Sequence, residues 1–253
     1  MVAGRSVRSL LRQRSASRRS PGFAGCSRIY LHHIRKTGGT SITDAILELG
    51  GEEPREVEAR AERALPHVTE TGGMVVVGHD RIALGTGWFQ YGWSHTPAWS
   101  LRLPRDCYTV TVLRDPLSRI VSLYNYLADP HSDDGHAFTA PLEERLLAAS
   151  GLDDFIARLP REELLRQTFM FSRRFDPAEA AERVSACSLV LRTERLGEGI
   201  AELSSVVGYD LRLKHQRRSS APATVSASEL SDGQRSRLME LLEPEYEFLA
   251  RLQ

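Results

Sequence analysis

Lysine is nearly absent from this chain. Lys36 and Lys214 are its two lysines, and arginine supplies the rest of its 33 basic residues. Cysteine is scarce too: Cys26, Cys107 and Cys187 are odd in number and far apart. That spacing excludes a disulfide framework and offers no metal-type pair, so a reducing compartment, the cytoplasm, is the expected location. No apolar run approaches the roughly 18 residues needed to span a bilayer, which predicts no membrane span. Acidic residues are missing from residues 1–28, which hold seven arginines. The remainder is therefore acidic overall, which argues against a general nucleic-acid binder. Any polyanion must be held by a local basic pocket. The basic N-terminus lacks the apolar core of a signal peptide. Residues 1–27 read as a disordered basic tail; a transit peptide or a start placed too early fits the same composition. Residues 28–253 read as one domain, long enough for a substantial core.

Against that arginine background, Lys36 stands out. A compact ammonium on a flexible stem can follow one moving charge, whereas a guanidinium is a rigid fork. Lys36 opens the run Lys36-Thr37-Gly38-Gly39-Thr40-Ser41. A β-like segment, 28–34, precedes it, and an apolar helical stripe at Ile42, Ala45, Ile46 and Leu49 follows. A strand, a small-residue loop and a helix N-terminus together form an anion site. The lysine precedes the glycines, so this is not the nucleotide triphosphate loop, in which lysine follows the second glycine. By itself the segment also fits an ordinary β–α turn with a solvated lysine.

Further along, Met74–Val77 reads as a buried strand ending at Gly78-His79-Asp80. Residues 84–104 carry all three tryptophans, with several glycines and prolines, and read as an irregular aromatic loop. Residues 107–113 form a β-branched strand. Arg114-Asp115-Pro116 then turns the chain, with Asp115 as N-cap and Pro116 at the first helical position. Helices are expected near 117–127, 151–159, 161–172, 177–186, 194–207 and 228–252, and a strand at 188–192. Strands alternating with helices predict an α/β fold of the P-loop-NTPase-like kind, a parallel sheet with helices on both faces. Lys36, His79 and Arg114 each follow a predicted strand, at the sheet edge where such folds bind ligands. His32 and His33 are adjacent on a strand and so face opposite ways, unsuited to one metal.

Two motifs resemble those of the glycan-type sulfotransferases, the family of uronyl 2-O- and carbohydrate sulfotransferases. The segment from His33 to Ser41 is similar to the family's 5′-phosphosulfate loop, with Arg35 where the family usually has proline. Val112 to Ser122 is similar to its 3′-phosphate motif. Gly78-His79, Arg166-Gln167-Thr168-Phe169 and Leu191 to Leu196 are softer echoes, so the likeness spans about residues 28–207. The resemblance implies 3′-phosphoadenosine 5′-phosphosulfate as sulfuryl donor and a hydroxyl-bearing acceptor (glycan, lipid or small metabolite), with no metal required. It implies donor binding by Arg35, Lys36, Thr37, Gly38, Gly39, Thr40, Ser41, Arg114 and Ser122. It also implies that Lys36 stabilises the leaving phosphate and that His79 is the base, a role suited to a pKa near neutrality. Arg217 and Arg218 could reach the nucleotide from a late loop. A P-loop kinase or hydrolase, and a non-catalytic phosphonucleotide-binding module, are the alternatives.

Overall fold

Short, largely buried strands pair into one six-stranded sheet in this computed structural model, which describes residues 22–64, 66–131, 141–213 and 225–252. The strands are β1 (Ile29–His32), β2 (Val68–Thr71), β3 (Met74–Gly78), β4 (Tyr91–Ser94), β5 (Tyr108–Leu113) and β6 (Leu189–Arg192). Their spatial order is β2-β3-β4-β1-β5-β6. All neighbours are parallel except the β2–β3 pair, an antiparallel hairpin turned by Gly72 and Gly73 at the sheet edge. The expected α/β architecture is therefore present, with one reversed edge strand.

Every residue of β1 is buried, as its central place requires. Ile29 and Leu31 face one side of the sheet and pack with Ile42 and Ile46 of α1 (Gly39–Leu47), Val57 of α2 (Pro54–Arg63) and Leu203 of α10 (Leu196–Val207). Burying a side chain such as Ile42 or Ile46 contributes about 1.5–3 kcal/mol. Tyr30 faces the other side, against Ala83 and Leu84 of the short helix α3 (Arg81–Thr86). Further along that side, Ile34 and Leu113 meet three more helices: α8 (Arg166–Phe171), α9 (Pro177–Ser185) and α12 (Glu243–Ala250). A separate apolar cluster joins α4 (Pro116–Ala128), α5 (Leu142–Ala149), α6 (Leu152–Arg158), α7 (Arg161–Leu164) and α11 (Asp232–Leu241). Helices thus cover both faces.

Four features depart from the sequence reading. The aromatic segment 84–104 is not one irregular loop. It holds β4, fully buried between β1 and β3, where Tyr91 and Trp93 occupy one face of the sheet. The flanking glycines and prolines hid a strand of only four residues. The edge strand β2 and the helix α5 also went unread. The helix expected over 161–172 breaks at Leu165, and the C-terminal one breaks at Leu242, two residues before Pro244. Finally, the fold reaches back beyond residue 28. Phe23 is buried, and the N–H groups of Ala24 and Gly25 bond the carbonyls of Val207 and Val206 at the end of α10. Residues 1–21, with most of the expected tail, and Arg217 and Arg218 lie outside the described residues. Among those described, no helix is long and apolar enough to cross a membrane.

Candidate functional site

The chain runs from β1 to one side of the sheet and returns to the other side with β5. Their neighbouring carboxyl ends form the crevice where α/β sheets place ligands. Lys36 follows β1 and Arg114 follows β5. The Arg114 guanidinium donates from Nη1 to the Lys36 carbonyl at 3.1 Å, so the two expected phosphate-binding segments touch.

The loop after β1 is held in an unusual shape. Lys36 has φ of +66°, a left-handed conformation that costs a non-glycine residue roughly 1–2 kcal/mol. Such strain persists where the surroundings over-determine it, commonly at sites. The bonds responsible are visible. Thr37 is buried, and its hydroxyl donates to the Ile34 carbonyl at 3.0 Å. The Thr193 hydroxyl, from the segment after β6, contacts the carbonyls of Thr37 and Leu113 together, tying the loop to the end of β5. Gly38, with φ of +92°, caps α1 without any side-chain hydrogen bond. The first turn of α1 therefore has no capping side chain, which leaves its N–H groups to be satisfied otherwise, as by an anion. A Cβ on Gly39 would lie 2.3 Å from the His33 ring, so only glycine fits there.

The Lys36 ammonium lies 4.2 Å from the centre of the Tyr126 ring. Tyr126 is on α4, one turn beyond Ser122, so the helix face that meets Lys36 also carries Ser122. Asp115 caps α4 by accepting from the Ser118 N–H at 2.8 Å, as the sequence indicates. Desolvation lowers the Arg114 pKa, opposed by Glu194 and Asp115. A partly dehydrated guanidinium gains more from a bound anion than an exposed one does.

Two expected ligands do other work. The Arg35 side chain pairs with Glu144 at 2.8 Å and Glu163 at 3.3 Å, bracing α5 and α7 against the loop. Its guanidinium is engaged by carboxylates and not directed to a phosphate. The Thr37 hydroxyl is likewise committed to the Ile34 carbonyl. Lys36, Gly38, Gly39, Thr40, Ser41, Arg114 and Ser122 remain together around the crevice.

Arg114 is positioned from behind. Its N–H donates to Gln167 Oε1 at 2.8 Å, and Gln167 Nε2 returns a bond to the Arg114 carbonyl at 3.0 Å. Gln167 is in turn gripped by Glu245 of α12, which accepts from Gln167 Nε2 at 2.7 Å and from the backbone N–H groups of Gln167 and Thr168. The fully buried Arg119 approaches Glu245 to 3.9 Å. Glu245 sits 78 residues from Gln167, and nothing in its local sequence announced the role.

His79 follows β3, two strands from Lys36. The Asp80 N–H bonds the Gly78 carbonyl at 2.8 Å, closing a three-residue turn around His79, whose φ is +59°. The Asp80 carboxylate caps α3, accepting from the N–H groups of Ile82 and Ala83 at 2.9 Å. The His79 ring stands 5.1 Å from His95, which stands 4.7 Å from His33. This row of imidazoles spans the strand ends from β3 back to the Lys36 loop. His95 Nδ1 meets the His33 carbonyl at 2.6 Å; a carbonyl only accepts, so Nδ1 carries the hydrogen and Nε2 the lone pair. Burial and the neighbouring His95 drop the His79 pKa to about 3, and burial drops that of His95 to about 4. The near-neutral value expected of His79 is thus overturned by desolvation, and the resting imidazole is neutral and weakly basic. His95 was missed because its strand was missed; the Tyr91-Gly92-Trp93 alternation was the available signal.

The arrangement can bind a multiply charged anion at the β1/β5 crevice, from which a row of imidazoles leads across β4 to His79. No protein-family model matches the chain, and no curated protein sequence is significantly similar to it.

Proposed function

We propose that the protein is a sulfotransferase that moves a sulfuryl group from 3′-phosphoadenosine 5′-phosphosulfate to a hydroxyl. The observation that carries this reading is the bond from the Arg114 guanidinium to the Lys36 carbonyl, which brings the segment after β5 against the loop that leads into α1. The loop amides and Lys36 would hold the 5′-phosphosulfate; Arg114 and Ser122 would hold the 3′-phosphate, the guanidinium gripping two oxygens. The acceptor oxygen forms its bond to sulfur as the bond from sulfur to the 5′-phosphate oxygen breaks. His79 takes the hydroxyl proton, and the 3′,5′-bisphosphate leaves. Lys36 meets the charge that grows on the leaving phosphate, which is the largest expected catalytic contribution. Nearby negative charge favours imidazolium, so the arriving donor raises the basicity of His79 from its low resting value.

Calorimetry with 3′-phosphoadenosine 5′-phosphate and turnover of labelled donor against a panel of alcohols test the proposal. Micromolar binding that weakens in Arg114→Ala, together with label transfer lost in His79→Ala, is the expected result. Absence of nucleotide binding refutes it. The depressed His79 pKa favours a second reading, a phosphonucleotide-binding module without turnover. Binding that is unchanged in His79→Ala, with no transfer by the parent protein, selects that one.

A further inference from the structure

The left-handed turn fixes the Lys36 backbone, but a flexible four-carbon stem separates that backbone from the ammonium. A charge on so loose a stem helps a reaction only where something holds it in place. The ring of Tyr126 is there to do so: its centre lies 4.2 Å from Lys36 Nζ, within the range of a cation–π contact. Tyr126 stands on α4 at intervals of four from Ser122 and Ser118, so the three share one helix face. Lys36 is thus held at both ends by the segment after β5, its carbonyl by Arg114 and its ammonium by Tyr126. Tyr126 also borders the apolar cluster around α4, which a leucine could fill equally well. What a leucine lacks is the negative face of an aromatic ring. Two guanidiniums nearby have other bonds to make. Arg145, 5.8 Å from the ring centre, donates to the carbonyls of Leu127 and Asp129 at the end of α4, and Arg35 pairs with Glu144 and Glu163.

We propose that Tyr126 is a positioning residue, whose ring face holds the Lys36 ammonium in the crevice both before and after the donor arrives. This rests on the sulfotransferase reading and adds to it the group that orients its lysine. The ring suits the task because it attracts the ammonium without neutralising it. A carboxylate in its place would compete with the donor for the same charge. The entropy of ordering a long side chain is then lost on folding and not at the moment of binding. Tyr126 exchanges no proton and makes no bond in the transfer. Its effect is on the charge that Lys36 offers to the leaving phosphate, which grows in the transition state, so its loss acts on kcat more than on KM.

The scarcity of lysine makes the test direct. Reductive methylation of the full chain with isotope-labelled formaldehyde marks Lys36, Lys214 and the terminal amine, keeps their charge, and gives signals that Lys214→Arg assigns. A methyl group over a ring face resonates upfield. The Lys36 signal is expected upfield of free dimethyl-lysine, to stay there in Tyr126→Phe and with 3′-phosphoadenosine 5′-phosphate bound, and to return to the free position in Tyr126→Leu. With labelled donor and unmethylated protein, kcat is expected to fall about tenfold in Tyr126→Leu, the scale of a cation–π contact shielded from water. In Tyr126→Phe it stays near the parent value, a rescue that packing volume alone does not predict. Urea titration checks that both variants fold, and Tyr126→Met takes the place of Tyr126→Leu if that one does not. An unshifted Lys36 signal, a shift lost when the nucleotide binds, or equal turnover losses in Tyr126→Phe and Tyr126→Leu overturns the proposal. If the nucleotide fails to bind or is never turned over, the signal is read on the unloaded protein. An upfield position there that Tyr126→Leu abolishes keeps the ring's hold on Lys36 and removes the sulfotransferase reading.

Discussion

The two halves of the sheet edge are built on different principles. On the β1/β5 side, backbone geometry and a hydrogen-bond scaffold do the work: Gly38, the Thr193 bridge, and the Glu245–Gln167 grip on Arg114. On the β3/β4 side, packed rings do it: the half-buried His79 and His95 and the buried Trp93 and Tyr91, in contact at 5.1–6.1 Å. The first half holds permanent charge in place, and the second holds titratable groups neutral. Fixed charge suits an anionic ligand, and a neutral imidazole can accept a proton. The comparison makes mutations on the two sides separable by readout.

The largest effect belongs to the charged half. Lys36→Ala is expected to lower turnover of labelled donor by about a thousandfold or more, the scale of losing one preorganised charge-stabilising group. Lys36→Arg should also be poor, because a rigid fork cannot track one oxygen. Near-normal activity in the arginine variant would dissolve the distinction drawn for this residue. Next comes Glu245→Ala, which leaves Arg119 buried without its carboxylate. Urea titration is expected to show a loss of about 3–5 kcal/mol, and in folded protein the nucleotide affinity should fall as Arg114 loosens. Unchanged affinity would show that the grip from α12 is structural only.

The titratable half is probed by pH. His32, His79 and His95 have folded pKa values lowered to about 4, 3 and 4 from 6.5. Below pH 6.5 the unfolded chain binds protons that the folded one resists. Their contribution to stability is therefore full above pH 6.5 and is lost as pH falls from there toward 3–4. Each such histidine adds a slope of up to about 1.4 kcal/mol per pH unit. Denaturation midpoints measured between pH 4 and 7 should fall with acid, and His79→Asn should flatten the curve; an unaltered slope counts against burial of the neutral ring. The smallest effect separates two variants at one position. His95→Asn can keep a donor toward the His33 carbonyl and should cost about 1 kcal/mol less than His95→Leu by thermal melting. Equal losses would mean that the hydrogen bond contributes nothing beyond packing.

The charged half was largely legible in advance because it is local. Lys36 through Ser41 are contiguous, and Asp115-Pro116 announces its helix by chemistry that acts over three residues. What was not legible there is where two side chains point: Arg35 turns to Glu144 and Glu163, more than a hundred residues away, and the Thr37 hydroxyl turns back to the Ile34 carbonyl. The titratable half was poorly legible because β4 is short, glycine-bearing and aromatic, and it becomes a strand only when β1 and β3 flank it.

By itself the sequence determined the β–loop–α unit around Lys36, the α/β class, and the choice of Lys36, Arg114 and His79 as the residues to watch. These follow from periodicity, turn chemistry and the rarity of lysine, all readable over a few residues. Only the tertiary structure decided that Arg114 reaches Lys36, that Glu245 braces it, and that His95 stands between His79 and the loop. Those depend on which strand lies beside which, a long-range outcome of burying two sheet faces at once. The basicity of His79 belongs to the same group, because desolvation depends on everything packed around the ring.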